Sequence, residues 1–534
     1  MRVTSQVART ISAIQLKAML QDGHELALLD VREAGQFGKS HLLFAVPLSY
    51  SRLEIDIGRL VPRRATRTVL CDDGELGIAA LATRRLEKIG YTDIAVLDGG
   101  TRGWAGAGYP LYSGVNVPSK VFGELVEHAY HTPRVTAREL QRMKDAGEDF
   151  MILDGRPVNE HHKMTIPGSI CCPNAELPYR IAALVKNPRT KIVVNCAGRT
   201  RSIVGAQTLI NYGVPNPVYA LENGTQGWYL ADFKLEHGST RRYPERIDAA
   251  SLPALQASAE KLMQRFAITK VAAAQVEAWL GNAGRTTYLC DVRTPEEFAA
   301  GSLPGAIHAP GGQLIQATDQ WIGVRNARLV LIDGGERVRA AMAASWLGQL
   351  GYDAFVLEDG VRARLSGPAA AEPVLPRLPA ISSDELRCGL DAGTCIVLDL
   401  GPSMSFRKAH IPGSRWSMRS RLAGAAREAG KTAVLVADDA DVARLAATDL
   451  LESGTRDVRL LDGGIAAWIR AGLPTDASPA DPPDAECIDY LFFVHDRHGG
   501  NREAMRQYLA WETGLVAQLD PQERATFRIG EARS

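Results

Sequence analysis

Four times along the chain a short apolar run closes on an aspartate: Leu28-Leu29-Asp30-Val31-Arg32, Ile152-Leu153-Asp154-Gly155-Arg156, Tyr288-Leu289-Cys290-Asp291-Val292-Arg293 and Val397-Leu398-Asp399-Leu400. A second apolar run follows each: Thr68-Val69-Leu70-Cys71, Ile192-Val193-Val194-Asn195-Cys196, Leu329-Val330-Leu331-Ile332-Asp333 and Ala433-Val434-Leu435-Val436-Ala437. Consecutive apolar residues without alternation predict strands buried on both faces, the pattern of a parallel sheet. Stretches of Ala, Leu and Arg come next and end near Gly90, Gly213, Gly351 and Gly454, where glycine suits a helix C-terminus. A third run then leads into Asp98-Gly99-Gly100-Thr101-Arg102-Gly103-Trp104, Glu222-Asn223-Gly224-Thr225-Gln226-Gly227-Trp228, Glu358-Asp359-Gly360 and Asp462-Gly463-Gly464-Ile465-Ala466-Ala467-Trp468. Strands alternating with helices predict an α/β protein, each unit a short parallel sheet flanked by helices.

The register between copies holds beyond the strands. The same offset from each aspartate reaches Gln36-Phe37, Glu160-His161, Glu297-Phe298 and Ser405-Phe406, then Pro167-Gly168, Pro304-Gly305 and Pro412-Gly413, with Leu43-Phe44 the departure in the first copy. Repetition of this kind predicts four tandem units, drawn at 1–118, 119–250, 251–372 and 373–480, with a C-terminal helical tail at 481–534. Ser366 to Pro379 and Pro474 to Asp484 read as linkers, and Pro110 to Pro133 and Phe233 to Ala257 separate the other copies. Within the tail, Arg502 to Leu519 reads as an amphipathic helix through Met505, Tyr508, Leu509, Leu515 and Leu519. That stripe needs a surface, on this chain or on a second subunit of a homo-oligomer.

Composition narrows the partners. The 534 residues exceed what one core supports, and 61 Lys plus Arg balance 61 Asp plus Glu. Nothing in the net charge argues for nucleic acid or an anionic membrane surface as partner, and neither is expected. The eight cysteines include no C-x-x-C pair, so reduced thiols are expected. The region from Met1 to Leu20 lacks a signal-peptide core and no run reaches the roughly 18 apolar residues of a membrane span. A cytoplasmic protein is expected.

The segment Cys196-Ala197-Gly198-Arg199-Thr200-Arg201-Ser202 puts a cysteine at a strand end, in a loop that opens a helix. Backbone N–H groups and the helix N-terminus favour an anion there, and two guanidinium groups add to the effect. Such surroundings lower a thiol pKa, so a reactive thiolate is expected. Ser202 is expected to help cap the helix, and Asp154 and Arg156, at a neighbouring strand end, to shape the loop.

Asp-x-Arg after a strand, Glu-Phe, Ile-Pro-Gly-Ser, a strand ending in Cys with an Arg-Ser loop, and Asp-Gly-Gly-x-x-x-Trp together resemble the rhodanese (thiosulfate sulfurtransferase) family. The resemblance runs to about Pro474 as four units. It implies that the loop cysteine takes sulfane sulfur from a donor and passes it, as a persulfide, to a nucleophile. On that resemblance Cys196 is the nucleophile, the amides of Ala197, Gly198, Arg199, Thr200 and Arg201 are the cradle, and Arg199 and Arg201 attract a small anionic donor. The acceptor is cyanide or a thiol. Neither a metal nor another cofactor is expected.

The other loops are less suited. Cys71, matched to Cys196, is followed by Asp72-Asp73-Gly74-Glu75-Leu76-Gly77, whose carboxylates oppose a thiolate, and is kept as a possible second site. The third unit has Asp333 and the fourth Ala437, and neither forms a persulfide. Cys290, Cys388 and Cys395 read as packing, as do Cys171-Cys172, with a resolving role for that pair as the alternative. His161-His162-Lys163 reads as an exposed helix face able to add positive charge near the site. His495-Asp496-Arg497-His498 reads as a hydrogen-bonded or solvated cluster rather than a metal site. Two other functions compete: a cysteine-dependent phosphatase or arsenate reductase, disfavoured because only four residues separate Cys196 from Arg201, and a non-catalytic binding scaffold.

Overall fold

Among the described residues, twenty short strands form four five-stranded sheets, all parallel, and in each the strands lie in the order first, fifth, fourth, second, third. The computed structural model describes residues 9–75, 77–367, 375–422 and 430–530. The side chain of His498, Leu76 and the middle of the linker expected at Ser366 to Pro379 lie outside the described residues. In the second sheet the central strands are Lys191–Asn195, Phe150–Asp154 and Val218–Leu221, flanked by Arg134–Val135 and Ile170–Cys171. Ile192, Val193, Val194 and Asn195 are all buried, which is why the run is continuously apolar up to its last residue. Leu140, Ile152, Ile166, Val193, Leu221 and Trp228 pack as one core. Trp104, Trp228 and Trp468 are each buried and donate Nε1–H to the carbonyls of Pro110, Lys234 and Pro474, fastening the chain that leaves each helix.

The chain divides into two compact units, Met1–Ala18 with Ala27–Gly114 and Ala370–Phe492, and Met19–Leu26 with Val115–Ala369 and Phe493–Ser534. The first unit holds the first and fourth sheets, and Arg419 bridges them through Glu54 (2.6 Å) and Asp449 (3.0 Å). The second unit holds the second and third sheets and the tail. There Trp346 Nε1 donates to Thr208 Oγ1 at 2.8 Å and Arg339 pairs with Glu176 at 3.0 Å.

The structure corrects two expected separators. Pro110 to Pro133 contains the helix Val117–Tyr130, and Phe233 to Ala257 runs into the helix Leu252–Arg265. The first has Val117, Val121, Phe122, Leu125 and Val126 buried, so its apolar positions follow a helical period and it packs as part of the second unit. The tail helix spans Arg502–Gly514, followed by a 3-10 turn at Val516–Gln518 and a helix at Pro521–Ala525. Its buried residues are Ala504, Met505, Tyr508 and Glu512. His161 is buried rather than exposed, with Nε2 3.3 Å from Ser169 Oγ. No helix of the described residues is long and apolar enough to cross a membrane.

Candidate functional site

Cys196 leaves the strand Lys191–Asn195, and the helix Thr200–Asn211 begins four residues later. The loop between them is held on two sides. Thr225 N–H donates to Cys196 O at 2.8 Å and Gln226 N–H to Ala197 O at 3.1 Å. Gly224, at φ +52°, lies so near Cys196 O that a Cβ would collide with it, so only glycine permits this approach. From the neighbouring strand, Gly155 N–H donates to Asn195 O at 2.9 Å. Arg156 grips Asp154 through Nε (2.9 Å) and Nη2 (2.6 Å) and reaches Met164 O at 2.6 Å. Thr165 Oγ1 and Asn195 Nδ2 also donate to Asp154, at 2.7 and 3.1 Å. Burial works against the Asp154 charge, but Arg156 and these bonds hold its carboxyl below the usual range.

The expectation that Arg199 and Arg201 attract a donor meets a different arrangement. Arg199 donates to Glu124 at 2.7 and 2.9 Å and also to Glu127, both on the helix Val117–Tyr130. Arg201 makes a two-pronged pair with Glu160 at 2.7 and 2.8 Å. Burial opposes the charge of each arginine, yet Glu124 for Arg199 and Glu160 for Arg201 raise both above their ordinary value. The loop arginines are therefore structural cations, neutralised in place. Ser202 is inside the helix, donating to Arg199 O at 2.7 Å and Leu221 O at 3.2 Å, and does not cap it.

The group that does sit at the helix start is Glu512, from the tail. Its Oε1 accepts from Thr200 Oγ1 at 2.7 Å, Thr200 N–H at 3.4 Å and Lys120 Nζ at 3.1 Å. Glu512 is 0 % exposed. Burial opposes its charge, but Lys120 foremost keeps its carboxyl below the ordinary value, so an anion faces the positive helix end. The amides of Ala197, Gly198, Arg199 and Arg201 have no partner among the described residues. Glu512 was detectable as a carboxylate on the apolar stripe Met505, Tyr508, Leu515.

Strand pairing corrects the match between Cys71 and Cys196. Asp30 lies opposite Cys71, Asp154 opposite Asn195, Asp291 opposite Ile332 and Asp399 opposite Val436. Cys71 is thus the counterpart of Asn195, and Asp72 stands where Cys196 stands. The turn confirms it: Thr101 N–H donates to Asp72 O at 2.9 Å as Thr225 N–H does to Cys196 O. Asp72 accepts from the amides of Gly74 (2.8 Å) and Ala79 (3.0 Å). Asp333 accepts from those of Gly334 (2.7 Å), Arg339 (2.8 Å) and Ala340 (3.1 Å) and from Arg339 Nε at 2.8 Å. Burial, then Asp30, pushes the Cys71 thiol well above its ordinary value. Burial also pushes Cys171 up to about 12 and Cys172 well above its ordinary value, the condition of packing thiols.

A cavity of about 150 Å³ opens beside the cysteine loop, lined on one side by Ala197, Thr225 and Gln226 and on another by Arg497 and Met505 of the tail.

A family model for the rhodanese-like domain matches four stretches, residues 12–107, 136–231, 272–364 and 382–471. Among solved structures, the chain is similar to a thiosulfate sulfurtransferase from Pseudomonas aeruginosa, at 44% identity and TM-score 0.89, covering 97% of this chain and 99% of that one. A rhodanese-like domain of the Anabaena sp. protein Alr3790 is 25% identical, with TM-score 0.19, over 22% of this chain and 87% of that one. Among curated proteins, an HTH-type transcriptional regulator of Mycobacterium tuberculosis, Rv0324, is 32% identical over 105 residues. That match spans 20% of this chain and 45% of the relative's length.

Proposed function

The chain belongs to the rhodanese family, as four tandem rhodanese-like domains, and from that premise we propose that its second domain moves sulfane sulfur through a persulfide on Cys196. The donor is a small anion of the thiosulfate type and the acceptor is cyanide or a thiol. One observation carries this reading: of the four equivalent positions, Asp72, Cys196, Asp333 and Ala437, only the second offers a thiol. The P. aeruginosa thiosulfate sulfurtransferase, to which this chain is similar over nearly its whole length, supports the same reaction class.

In the proposed reaction the Cys196 thiolate attacks the outer sulfur of thiosulfate. The new bond joins Sγ to that sulfur, the S–S bond of the donor breaks, and sulfite leaves with the electron pair. Cyanide or a thiolate then takes the outer sulfur and restores the Cys196 thiolate. The open amides of Ala197, Gly198, Arg199 and Arg201 and the N-terminus of the helix Thr200–Asn211 are suited to the persulfide anion. Asp154 and Arg156 position the strand end that presents Cys196. Engagement of Arg201 by Glu160 weighs against phosphate cleavage, which needs that arginine for the transferred group. The eight cysteines are free thiols, in keeping with a reducing cytoplasm as the proposed location.

Mass spectrometry of thiosulfate-treated protein is expected to find one added sulfur on Cys196, removed by cyanide as thiocyanate. Absence of the adduct, or hydrolysis of an aryl phosphate that Cys196→Ser abolishes, would overturn the reading.

A further inference from the structure

In the first and third domains the carboxylate at the start of the helix after the loop belongs to the strand end itself. Asp72 accepts from the amide of Ala79, and Asp333 from those of Arg339 and Ala340. In the second domain that position is the thiol of Cys196, and the carboxylate on the helix start comes from Glu512, 312 residues away in the chain from the Thr200 it binds. An anion at a helix start is favourable wherever in the chain it originates. The tail supplies from a distance what Asp72 and Asp333 supply locally, and the strand end is left to the thiol.

Glu512, Lys120 and Thr200 are all buried. Lys120 Nζ lies 3.1 Å from Glu512 Oε1 and 5.7 Å from the centre of the Tyr508 ring, one turn earlier on the tail helix. Gly123, one turn beyond Lys120, lets its helix press against Thr200: a Cβ there would meet Thr200 Cα and Oγ1 at 3.0 Å. The other carboxylate oxygen, Glu512 Oε2, is buried with no partner among the described residues, and a Cβ on Gly198 would lie 3.0 Å from it. The unbonded side of the carboxylate therefore faces the loop two residues after Cys196. Burial opposes this charge, but Lys120 and Thr200 keep the carboxyl below its ordinary value, so the charge is present at neutral pH.

Resting on the sulfur-transfer reading above, we propose that Glu512 is a positioning residue for the Cys196 reaction: with Lys120 as counter-ion it fixes the first residue of the catalytic helix and lowers the affinity of the loop for anions. It acts through Thr200, whose amide it withholds from the cradle, and through the negative charge it sets beside the Gly198 backbone. A loop with every amide turned to the ligand and an unopposed helix end would hold thiosulfate, sulfite and the persulfide alike. Such uniform binding does not speed transfer. The carboxylate weakens the hold on each of these anions, so that sulfite leaves. Its penalty grows with charge, and a dianion such as thiosulfate carries more of it than a monoanion.

The test uses the full chain with Glu512→Gln, which keeps an acceptor for Thr200 but removes the charge, and with the double variant Glu512→Gln, Lys120→Gln, which removes both charges. Cys196 is alkylated with iodoacetate or iodoacetamide and followed by peptide mass spectrometry. The ratio of the anionic to the neutral rate should rise about fivefold in Glu512→Gln and about twofold in the double variant, where the lysine no longer draws the anion. A purely structural role would move both rates together and leave the ratio unchanged. The thiosulfate concentration for half-maximal loading of Cys196 should fall about fivefold in Glu512→Gln. The double variant replaces a buried pair with two neutral amides, and its ratio decides the matter alone if Glu512→Gln does not fold. A ratio no higher than wild type in the variants that fold, or one higher in the double variant than in the single, would overturn the proposal while leaving sulfur transfer intact. Failure of the wild type to load sulfur would overturn the transfer reading. A raised alkylation ratio in that case would still assign to Glu512 the opposition to anions at Cys196.

Discussion

At one structural position the first and third domains carry the carboxylates of Asp72 and Asp333, and the second carries the thiol of Cys196. Both aspartates turn back onto amides of their own loop and of the first turn of the following helix, Gly74 and Ala79 in one, Gly334, Arg339 and Ala340 in the other. The second domain leaves the amides of Ala197, Gly198, Arg199 and Arg201 without partners among the described residues. In the first and third domains a carboxylate at this position takes amides of its own loop and helix, whereas in the second Glu512 of the tail takes the Thr200 amide and these four are left without a partner among the described residues. The same fold serves as a structural module in one case and a candidate reaction centre in the other, and one side chain decides between them.

The largest effect expected from this contrast is on activity. Cys196→Ala should reduce sulfur transfer from thiosulfate to the uncatalysed background, a loss of more than about 10³-fold, and Cys71→Ala should leave kcat/KM within about twofold. Steady-state thiocyanate formation measures both. A comparable loss from Cys71→Ala would break the comparison, because that thiol lies one residue before the reactive position.

Asp333 should matter to stability instead. It is 2 % exposed and bonds Arg339, which is 1 % exposed. Removing one partner of a buried ion pair costs about 3 to 5 kcal/mol. Arg339 keeps Glu176 and Glu297, so Asp333→Ala should fall at the lower end. Urea unfolding of the second unit measures it, and no change in midpoint would show that the carboxylate does not hold the helix start.

The aspartates at the ends of the first strands sharpen the comparison through pH. Asp154 has Arg156, but the fourth domain has Gly401 at the equivalent place, and burial raises Asp399 to about 6. As pH rises from about 4 to about 6 the unfolded chain loses this proton before the folded one does. Stability of the fourth domain therefore falls over that window, by on the order of 2 kcal/mol. Asp154 works in the opposite sense, its contribution present at neutral pH and lost in acid. Asp399→Asn should flatten the pH dependence between 4 and 6, and an unaltered profile in that variant would assign the effect to another group.

The sheets were legible because consecutive apolar residues leave few alternatives to a doubly covered strand, and the Cys196 loop was legible because its chemistry is local. Its surroundings were less so. Glu124, Glu127 and Lys120 lie in a stretch bounded by Pro110 and Pro133 that reads as a linker, although Val117, Val121, Phe122, Leu125 and Val126 keep a helical period. Glu512 bonds Thr200 across 312 residues, and no local pattern encodes such a pairing. Cys71 shares its residue type with Cys196 but its strand position with Asn195, and in the sequence alone residue identity is the stronger signal.

That one-residue difference can be tested directly. Cys71 is 0 % exposed, its Sγ 3.4 Å from Asp72 O, and burial disfavours its thiolate. Asp72→Cys would put a second thiol at the position equivalent to Cys196, beside the amides of Gly74 and Ala79 that the carboxylate vacates. Those amides and the helix start should favour the thiolate there. Labelling by iodoacetamide should be about tenfold faster at the new residue than at Cys71, a difference of about 1.4 kcal/mol in barrier. Equal rates would mean that strand register does not determine which thiol is reactive. Faster labelling without sulfur loading would sharpen the comparison further, by separating what forms the thiolate from what binds the donor.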